Sequence, residues 1–193
     1  MSIDELAIKI NNGEVGVMPT DTVYGLVAQA KNEQAVKRLY SLKNREGKPG
    51  TIIASSTKQL VDLGLKKRYL TAVESYWPGA VSVVIPTGEV LKYLHQGKQS
   101  LAVRIPKDKA LTKLLAKTGA LLSSSANLPG EKPATTLQEA KAYFSDKLDF
   151  YVDGGRLEGK PSTVIRVVDD VVEVLREGRV KINEAGVVLN DTK

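Results

Sequence analysis

Pro19-Thr20-Asp21-Thr22-Val23-Tyr24-Gly25-Leu26 decides how the chain folds, because it places hydroxyl and carboxyl groups between two strand-like runs at residues 15–18 and 27–30. A proline cannot donate to a sheet ladder, so the first strand should end at Pro19. The polar side chains that follow would then lie at a strand end, where open α/β sheets place their ligands. A turn whose threonine and aspartate side chains satisfy its own backbone is the alternative interpretation.

The composition is that of an ordinary globular protein. Hydrophobic residues make up 42% and charged residues 26% of the 193 residues, and this length suits one domain. The absence of cysteine excludes disulfides and thiolate sites. The one histidine, His95, cannot build a multi-histidine metal site, and its polar neighbours predict that it is exposed. The net charge of +6 favours anionic partners such as nucleotides or RNA, although a generally basic surface explains it equally well.

The chain shows no sign of membrane insertion or export. No apolar run reaches the roughly 18 residues that a spanning helix requires. The N-terminal residues lack a basic region followed by an apolar one, so no signal peptide is expected. We therefore expect a cytoplasmic protein that does not associate with membranes.

The order of the elements predicts an α/β fold. Helical patterns alternate with strand-like runs, and Asp169-Asp170 is expected to turn the last two strands into a hairpin. This mixture predicts a twisted mixed sheet, parallel and antiparallel, flanked by helices. No linker divides the chain, so we expect a single domain over residues 1–193, with 181–193 as a short C-terminal tail and no additional C-terminal domain. The predicted strands lie at 15–18, 27–30, 51–54, 81–85, 101–105, 120–122, 150–152, 163–168 and 171–175, and the predicted helices at 32–44, 57–63, 69–76, 107–117 and 136–148, after a first helix capped by Ser2.

A basic segment follows the second predicted helix. Lys43, Arg45 and Lys48 stand within six positions around a glycine. Arginine offers a planar fork to phosphate oxygens, and lysine offers a compact charge. A solvated basic helix end, which favours the helix dipole, is the alternative.

Two later segments place polar groups within or after apolar strands. Arg104 lies on the opposite face of its strand from Val103 and Ile105. An arginine in this environment is costly unless it is paired with an anion, which a ligand or an acidic side chain of the protein would supply. Ser123-Ser124-Ser125-Ala126-Asn127 follows a short strand and offers small hydroxyls to an oxygen-rich ligand, although an ordinary serine-rich turn has the same composition. Neither segment has the histidine or lysine partner of a serine nucleophile, so we reject a hydrolase triad.

These segments together resemble the YrdC-like family, the threonylcarbamoyl-AMP synthases. The resemblance extends from about residue 17 to residue 178 and includes segments 19–26, 43–49, 100–106, 123–127, 159–165 and 175–178 in family order. It implies a YrdC-like fold and the activity of an L-threonylcarbamoyladenylate synthase. Such a nucleotidyltransferase makes threonylcarbamoyl-AMP and pyrophosphate from L-threonine, bicarbonate and ATP for threonylcarbamoyladenosine (t6A) modification of tRNA.

The resemblance also implies two groups of site residues and no dedicated nucleophile. Lys43, Arg45 and Arg104 would act by positioning the substrates, and Mg²⁺ would be carried by ATP without a metal site on the protein. The residues implied for L-threonine are Thr22, Arg104, Ser123 and Ser162. The residues implied for ATP are Lys43, Arg45, Lys48, Ser100, Ser125 and Arg176.

The implied partners are L-threonine, bicarbonate, ATP and a separate tRNA threonylcarbamoyl transferase that consumes the product. Two alternatives stay open. A protein that binds double-stranded RNA or tRNA without synthesis would use the same basic surface, although few aromatic side chains are available for stacking. A paralogous nucleotide-binding enzyme would keep the pocket and act on a different substrate.

Overall fold

Residues 1–169, 171–183 and 185–189 are described by the computed structural model, and within them nine strands form one sheet and two short strands form another. The strands are β1 (Gly16–Pro19), β2 (Tyr24–Gln29), β3 (Thr51–Ile53), β4 (Val81–Pro86), β5 (Ser100–Arg104), β6 (Leu121–Ser125), β7 (Phe150–Tyr151), β8 (Thr163–Val168), β9 (Val171–Arg176), β10 (Lys181–Ile182) and β11 (Val188–Leu189). The large sheet has the order β7-β1-β2-β6-β3-β5-β4-β8-β9. Its pairs β1–β7, β3–β5 and β4–β8 are parallel and the others are antiparallel. The predicted mixed sheet is thus confirmed.

Capping side chains fix where most helices begin. The Ser2 hydroxyl accepts from the Glu5 N–H while the Glu5 carboxylate accepts from the Ser2 N–H, which is a capping box. Side chains of Asn32, Ser56, Asp108 and Thr136 each accept a hydrogen bond from a backbone N–H in the first turn of four later helices. The helices are α1 (Ile3–Asn11), α2 (Glu33–Leu42), α3 (Thr57–Leu63), α4 (Lys67–Thr71), α5 (Lys92–His95), α6 (Lys109–Thr118) and α7 (Leu137–Phe144), with short 3₁₀ turns at Glu74–Tyr76, Glu89–Leu91 and Ser145–Lys147.

Some elements differ from their predictions. The helix predicted over residues 69–76 is divided into α4 and a 3₁₀ turn. The predicted tail contains β10 and β11, which pair antiparallel within the described part of residues 181–193. Strands β8 and β9 form the expected antiparallel pair, and Asp170 of the predicted turn lies outside the described residues.

His95 is buried, so its predicted exposure is wrong. Its Nδ1 accepts hydrogen bonds from the backbone N–H groups of Gly97 and Gln99, at 3.1 and 3.2 Å. The imidazole therefore organises the turn that follows α5. The polar neighbours of His95 in the sequence did not predict its burial, because the ring points inward and accepts from backbone groups two and four residues later in the chain.

The sheet face under α1 and α6 determines where a ligand can lie. Ile53 and Leu121 are cross-strand partners on this face and pack with the two helices in one apolar cluster. Side chains two residues along a strand point to the same face. Thr51 and its partner Ser123 therefore continue this face in polar form, and Arg104 lies beside Ile53 on it. The face is thus apolar where helices cover it and polar beyond them.

The described residues contain no helix with both the length and the hydropathy needed to cross a bilayer.

Candidate active site

A polar cavity of about 70 Å³ lies on the polar part of that sheet face. Its walls come from segments far apart in the sequence, including the turn after β1, strands β3, β5 and β6, and the residues just before β8. The predicted site residues that line it are Thr22, Arg45, Arg104, Ser123, Ser125, Ser162 and Arg176. A larger cavity of about 800 Å³ beside Trp77 is lined by none of the predicted site residues.

The turn after β1 is organised by its own threonine. The Thr20 hydroxyl donates to the Val23 carbonyl at 2.6 Å and accepts from the N–H groups of Thr22 and Val23, each at 3.3 Å. The Thr20 and Thr22 hydroxyl oxygens are 3.1 Å apart. The alternative of a self-satisfied turn is therefore correct for Thr20, while Thr22 also faces the cavity.

Arg104 forms an ion pair with Asp21, in which Nη1 is 2.5 Å from Oδ2. Both side chains are withdrawn from solvent, at 4% and 12% exposure. Arg179 donates from Nη1 to the Asp21 carbonyl at 2.7 Å and so holds the turn in place. The acidic side chain that the sequence left open as a partner of Arg104 is therefore present, although the guanidinium still lines the cavity.

Arg45 is held by three contacts, so its guanidinium has a fixed orientation. Its Nε donates to the Lys48 carbonyl, its Nη2 donates to the Pro49 carbonyl at 3.1 Å, and its Nη1 donates to the Ser124 hydroxyl at 2.9 Å. Burial lowers the pKa of Arg45. Ser124 was not singled out from the sequence, since its contact with Arg45 joins residues 79 positions apart.

Lys43 lies behind the cavity rather than in it. Its buried ammonium donates to the Ser125 carbonyl at 2.6 Å, to Asn127 Oδ1 at 2.8 Å and to the Asn127 carbonyl. Burial and, second, the charge of Arg45 lower the pKa of Lys43 to about 8. Lys43 thus orders residues 125–127 at the end of β6, which we call the serine-rich loop. Within it the Ser125 hydroxyl also donates to Asn127 Oδ1 at 2.6 Å.

Two other residues implied for ATP also lie outside the cavity lining. Lys48 is exposed, and its backbone carbonyl accepts from Arg45. Ser100 begins β5, and its hydroxyl donates to the Lys98 carbonyl at 3.4 Å.

Arg176 reaches the cavity from β9. Its Nη2 donates to the Ser162 carbonyl at 2.7 Å, and the Ser162 hydroxyl is 2.9 Å from that of Ser82. Burial lowers the pKa of Arg176, and the charges of Arg45 and Arg104 lower it further. Three guanidinium groups therefore converge on one cavity, where an anion would relieve their repulsion.

Close backbone contacts hold the segment before β8 against the turn. A Cβ on Gly159 would lie 2.2 Å from the Thr22 carbonyl oxygen, and a Cβ on Gly154 would lie 2.5 Å from the Pro19 side chain. A side chain at either position would displace the segment. The glycines were visible in the sequence, but the surfaces they approach were not.

Residues able to hold a metal ion are not clustered at the cavity. Across the described ranges, no group of three or more histidine, aspartate or glutamate side chains has a suitable arrangement. The donor set of the cavity is instead cationic and alcoholic, which suits oxygen-rich anions.

Comparisons with known proteins agree with this chemistry. Residues 9–178 match the family model Sua5_yciO_yrdC, described as "Telomere recombination". A protein of Idiomarina loihiensis named "Threonylcarbamoyl-AMP synthase" is 35% identical over 164 residues, which cover 80% of this chain and 87% of that protein. A "Putative threonylcarbamoyl-AMP synthase" of Methanocaldococcus jannaschii is 29% identical over 190 residues, which cover 94% and 88%.

Solved structures show the same fold. P. abyssi Sua5 in complex with L-threonine matches with a TM-score of 0.82 and 31% identity over 92% of this chain. The match covers 54% of that protein, so this chain spans about half of its length. YciO of E. coli matches with a TM-score of 0.78 and 25% identity, over 91% of this chain and 88% of that protein.

Proposed function

The chain belongs to the Sua5/YciO/YrdC family, and from this premise we propose that it is a threonylcarbamoyl-AMP synthase that uses L-threonine, bicarbonate and ATP. The family resemblance inferred from the sequence is confirmed by the family model over residues 9–178 and by the named relatives. One observation carries the proposal. Arg45, Arg104 and Arg176 line one small cavity together with serine and threonine hydroxyls from several segments.

The enclosed part of the cavity suits the amino acid. Its volume of about 70 Å³ is several times the ~10–15 Å³ that a single water needs, so it holds a small molecule rather than a nucleotide. Arg104, which lines the cavity, would bind the carboxylate with its guanidinium. Thr22, Ser123 and Ser162 would bind the remaining polar groups of L-threonine.

The triphosphate would lie on the open side of the cavity. Arg45 and Arg176 supply its charge partners, and Ser125 supplies a hydroxyl. Lys43 and Ser100 would act indirectly, Lys43 by ordering the loop of Ser125. Because the described residues hold no cluster of side chains suited to a metal ion, we propose that Mg²⁺ is carried by the ATP phosphates. The side chain of Lys48 is exposed and would contact the phosphates from the solvent side.

The chemistry then requires positioning and charge neutralisation rather than a nucleophilic side chain. The threonine amine and bicarbonate condense to a carbamate and water. A carbamate oxygen attacks the α-phosphorus, a new P–O bond forms, and the bond to the β-phosphate breaks with release of pyrophosphate. The cluster of guanidinium groups stabilises the negative charge that develops on the phosphates.

The product is a reactive mixed anhydride, so we propose that a separate transferase consumes it to modify tRNA. The substrates are metabolites of the cytoplasm, where we propose that the enzyme acts. We also propose that residues 1–193 act as one domain, because the relative from Idiomarina loihiensis has most of its length covered by this chain. RNA binding without synthesis is supported only by the net charge of +6, which does not account for the enclosed cavity.

Pyrophosphate release tests the proposal. The full mixture of ATP, L-threonine and bicarbonate should release pyrophosphate, and omission of any one component should reduce release to background. Equal release without L-threonine would refute the synthase and favour a paralogous nucleotide-binding enzyme. Salt-sensitive binding of double-stranded RNA by a protein that releases no pyrophosphate would favour the RNA-binding alternative.

A further inference from the structure

The segment that carries Arg45 is irregular, so contacts from other parts of the chain must hold its backbone. Residues 43–50 connect α2 to β3 and contain neither helix nor strand, and we call them the basic loop. Asn44 has a φ of 46°, in the left-handed region that residues other than glycine rarely adopt. Because the backbone N–H groups of such a segment need partners, the residues that supply them determine the path of the basic loop.

The guanidinium of Arg45 is tied to the backbone of its own loop. Its Nε donates to the Lys48 carbonyl, and its Nη2 donates to the Pro49 carbonyl at 3.1 Å. A shift of this backbone would therefore move the guanidinium in the polar cavity. Contacts that fix the basic loop also fix the position of the cation.

Two side chains from outside the basic loop bind its backbone on either side of those two carbonyls. Gln96 Oε1 accepts from the N–H of Gly47 at 2.8 Å, and the Tyr40 hydroxyl accepts from the N–H of Gly50 at 3.2 Å. Neither Gln96 nor Tyr40 lines the polar cavity. An effect of either side chain on a ligand in that cavity would therefore pass through the basic loop.

The turn that presents Gln96 is itself fixed. Gln96 directly follows α5 and has a φ of 50°, again in the left-handed region. Its N–H donates to the Lys92 carbonyl at 2.8 Å, and the buried His95 ring accepts from the N–H groups of Gly97 and Gln99. Residues held in such sparsely populated conformations occur preferentially at functional sites. The fixed turn keeps the Gln96 oxygen in place for Gly47.

We propose that Gln96 is a positioning residue for ATP, which holds the basic loop so that Arg45 stays directed at the phosphates. This inference rests on the proposed function, in which Arg45 is a charge partner of the triphosphate. A guanidinium that is already ordered loses less conformational freedom when the nucleotide binds. The residues proposed for L-threonine lie outside the basic loop, so the loss of the Gln96 contact should weaken ATP binding and leave L-threonine binding unchanged.

Two substitutions of Gln96 isolate the accepting oxygen. Gln96→Met removes it at a similar side-chain length, and Gln96→Glu keeps an oxygen at this position. Pyrophosphate release at saturating L-threonine and bicarbonate gives the KM for ATP, and calorimetry without ATP gives the affinity for L-threonine. We expect Gln96→Met to raise the KM for ATP by roughly 3- to 10-fold, the effect of one hydrogen bond, with L-threonine affinity unchanged. Gln96→Glu should restore most of the wild-type KM.

Gln59→Met is the matched control. Gln59 Oε1 also accepts from a backbone N–H, that of Ser55, at 2.9 Å, and Gln59 does not line the polar cavity. This variant should keep the wild-type KM for ATP, because a loss of folded protein, which thermal unfolding reports, lowers the rate at every ATP concentration without changing KM.

The inference is wrong if Gln96→Met keeps the wild-type KM for ATP or weakens L-threonine equally. It is also wrong if Gln96→Glu is as impaired as Gln96→Met, or if Gln59→Met raises the KM to the same extent. A wild-type protein that releases no pyrophosphate from the full mixture would instead refute the proposed function, and the inference would fail with it.

Discussion

Replacing Arg104 by methionine should damage stability and ligand binding for separable reasons. The Arg104 side chain is 4% exposed and its partner Asp21 is 12% exposed. The variant leaves the buried carboxylate without its cation, which typically costs about 3–5 kcal/mol of folding free energy. It also removes the donor for the threonine carboxylate, and the loss of a charged pair of hydrogen bonds corresponds to roughly 100-fold or more in affinity.

The double variant Asp21→Asn/Arg104→Met separates the two effects. No buried charge remains uncompensated in it, so most of the lost stability should return. Affinity for L-threonine should stay lost, because the double variant also lacks the Arg104 donor for the carboxylate. Urea unfolding measures the first quantity and calorimetry measures the second. A double variant as unstable as Arg104→Met would refute the argument from the ion pair, and near wild-type threonine affinity in Arg104→Met would refute the assignment of the carboxylate.

Three further variants test other parts of the site. Burial lowers the pKa of Lys43 from 10.5 to about 8. Between these two pH values the Lys43 amine is therefore more fully protonated in the unfolded chain than in the folded chain. The unfolding free energy of the wild type relative to Lys43→Met should therefore rise over that window, by at most about 3 kcal/mol, and urea titrations that show a flat difference would contradict this. Gly159→Ala should weaken L-threonine binding in calorimetry, because its Cβ would lie 2.2 Å from the Thr22 carbonyl oxygen; unchanged affinity would mean that the segment is not part of the site. Ser124→Ala should weaken ATP binding by roughly tenfold or less through the loss of one hydrogen bond to Arg45, whereas L-threonine affinity measured without ATP should stay unchanged, and equal losses for both would argue against this role.

Local patterns in the sequence located the strands of the large sheet, although not their order or all of their ends. Alternation placed Arg104 apart from Val103, and prolines marked the ends of β1, β4 and β5. The start of the turn after β1 was predicted correctly, and the Thr20 hydroxyl satisfies the turn's own backbone, which is a short-range property. The second strand begins at Tyr24, three residues earlier than predicted.

Contacts between distant segments were not predictable in the same way. The ion pair of Arg104 with Asp21 joins residues 83 positions apart, and Lys43 reaches Asn127 across 84 positions. Neither periodicity nor charge pattern specifies which side chains meet once the strands are arranged. For this reason the sequence analysis assigned Lys43 to ATP. In the structure its ammonium group donates to three oxygen atoms of Ser125 and Asn127.

The central claim is that the cavity binds L-threonine next to ATP, so that a carboxyl group derived from bicarbonate links the threonine nitrogen to the α-phosphate. Mass spectrometry of a reaction with ATP, L-threonine and ¹³C-bicarbonate measures this directly. We expect threonylcarbamoyl-AMP that carries the ¹³C label and is missing from reactions of the Arg104→Met variant. An adenylate of threonine without the label, or an undiminished labelled product from Arg104→Met, would contradict the account.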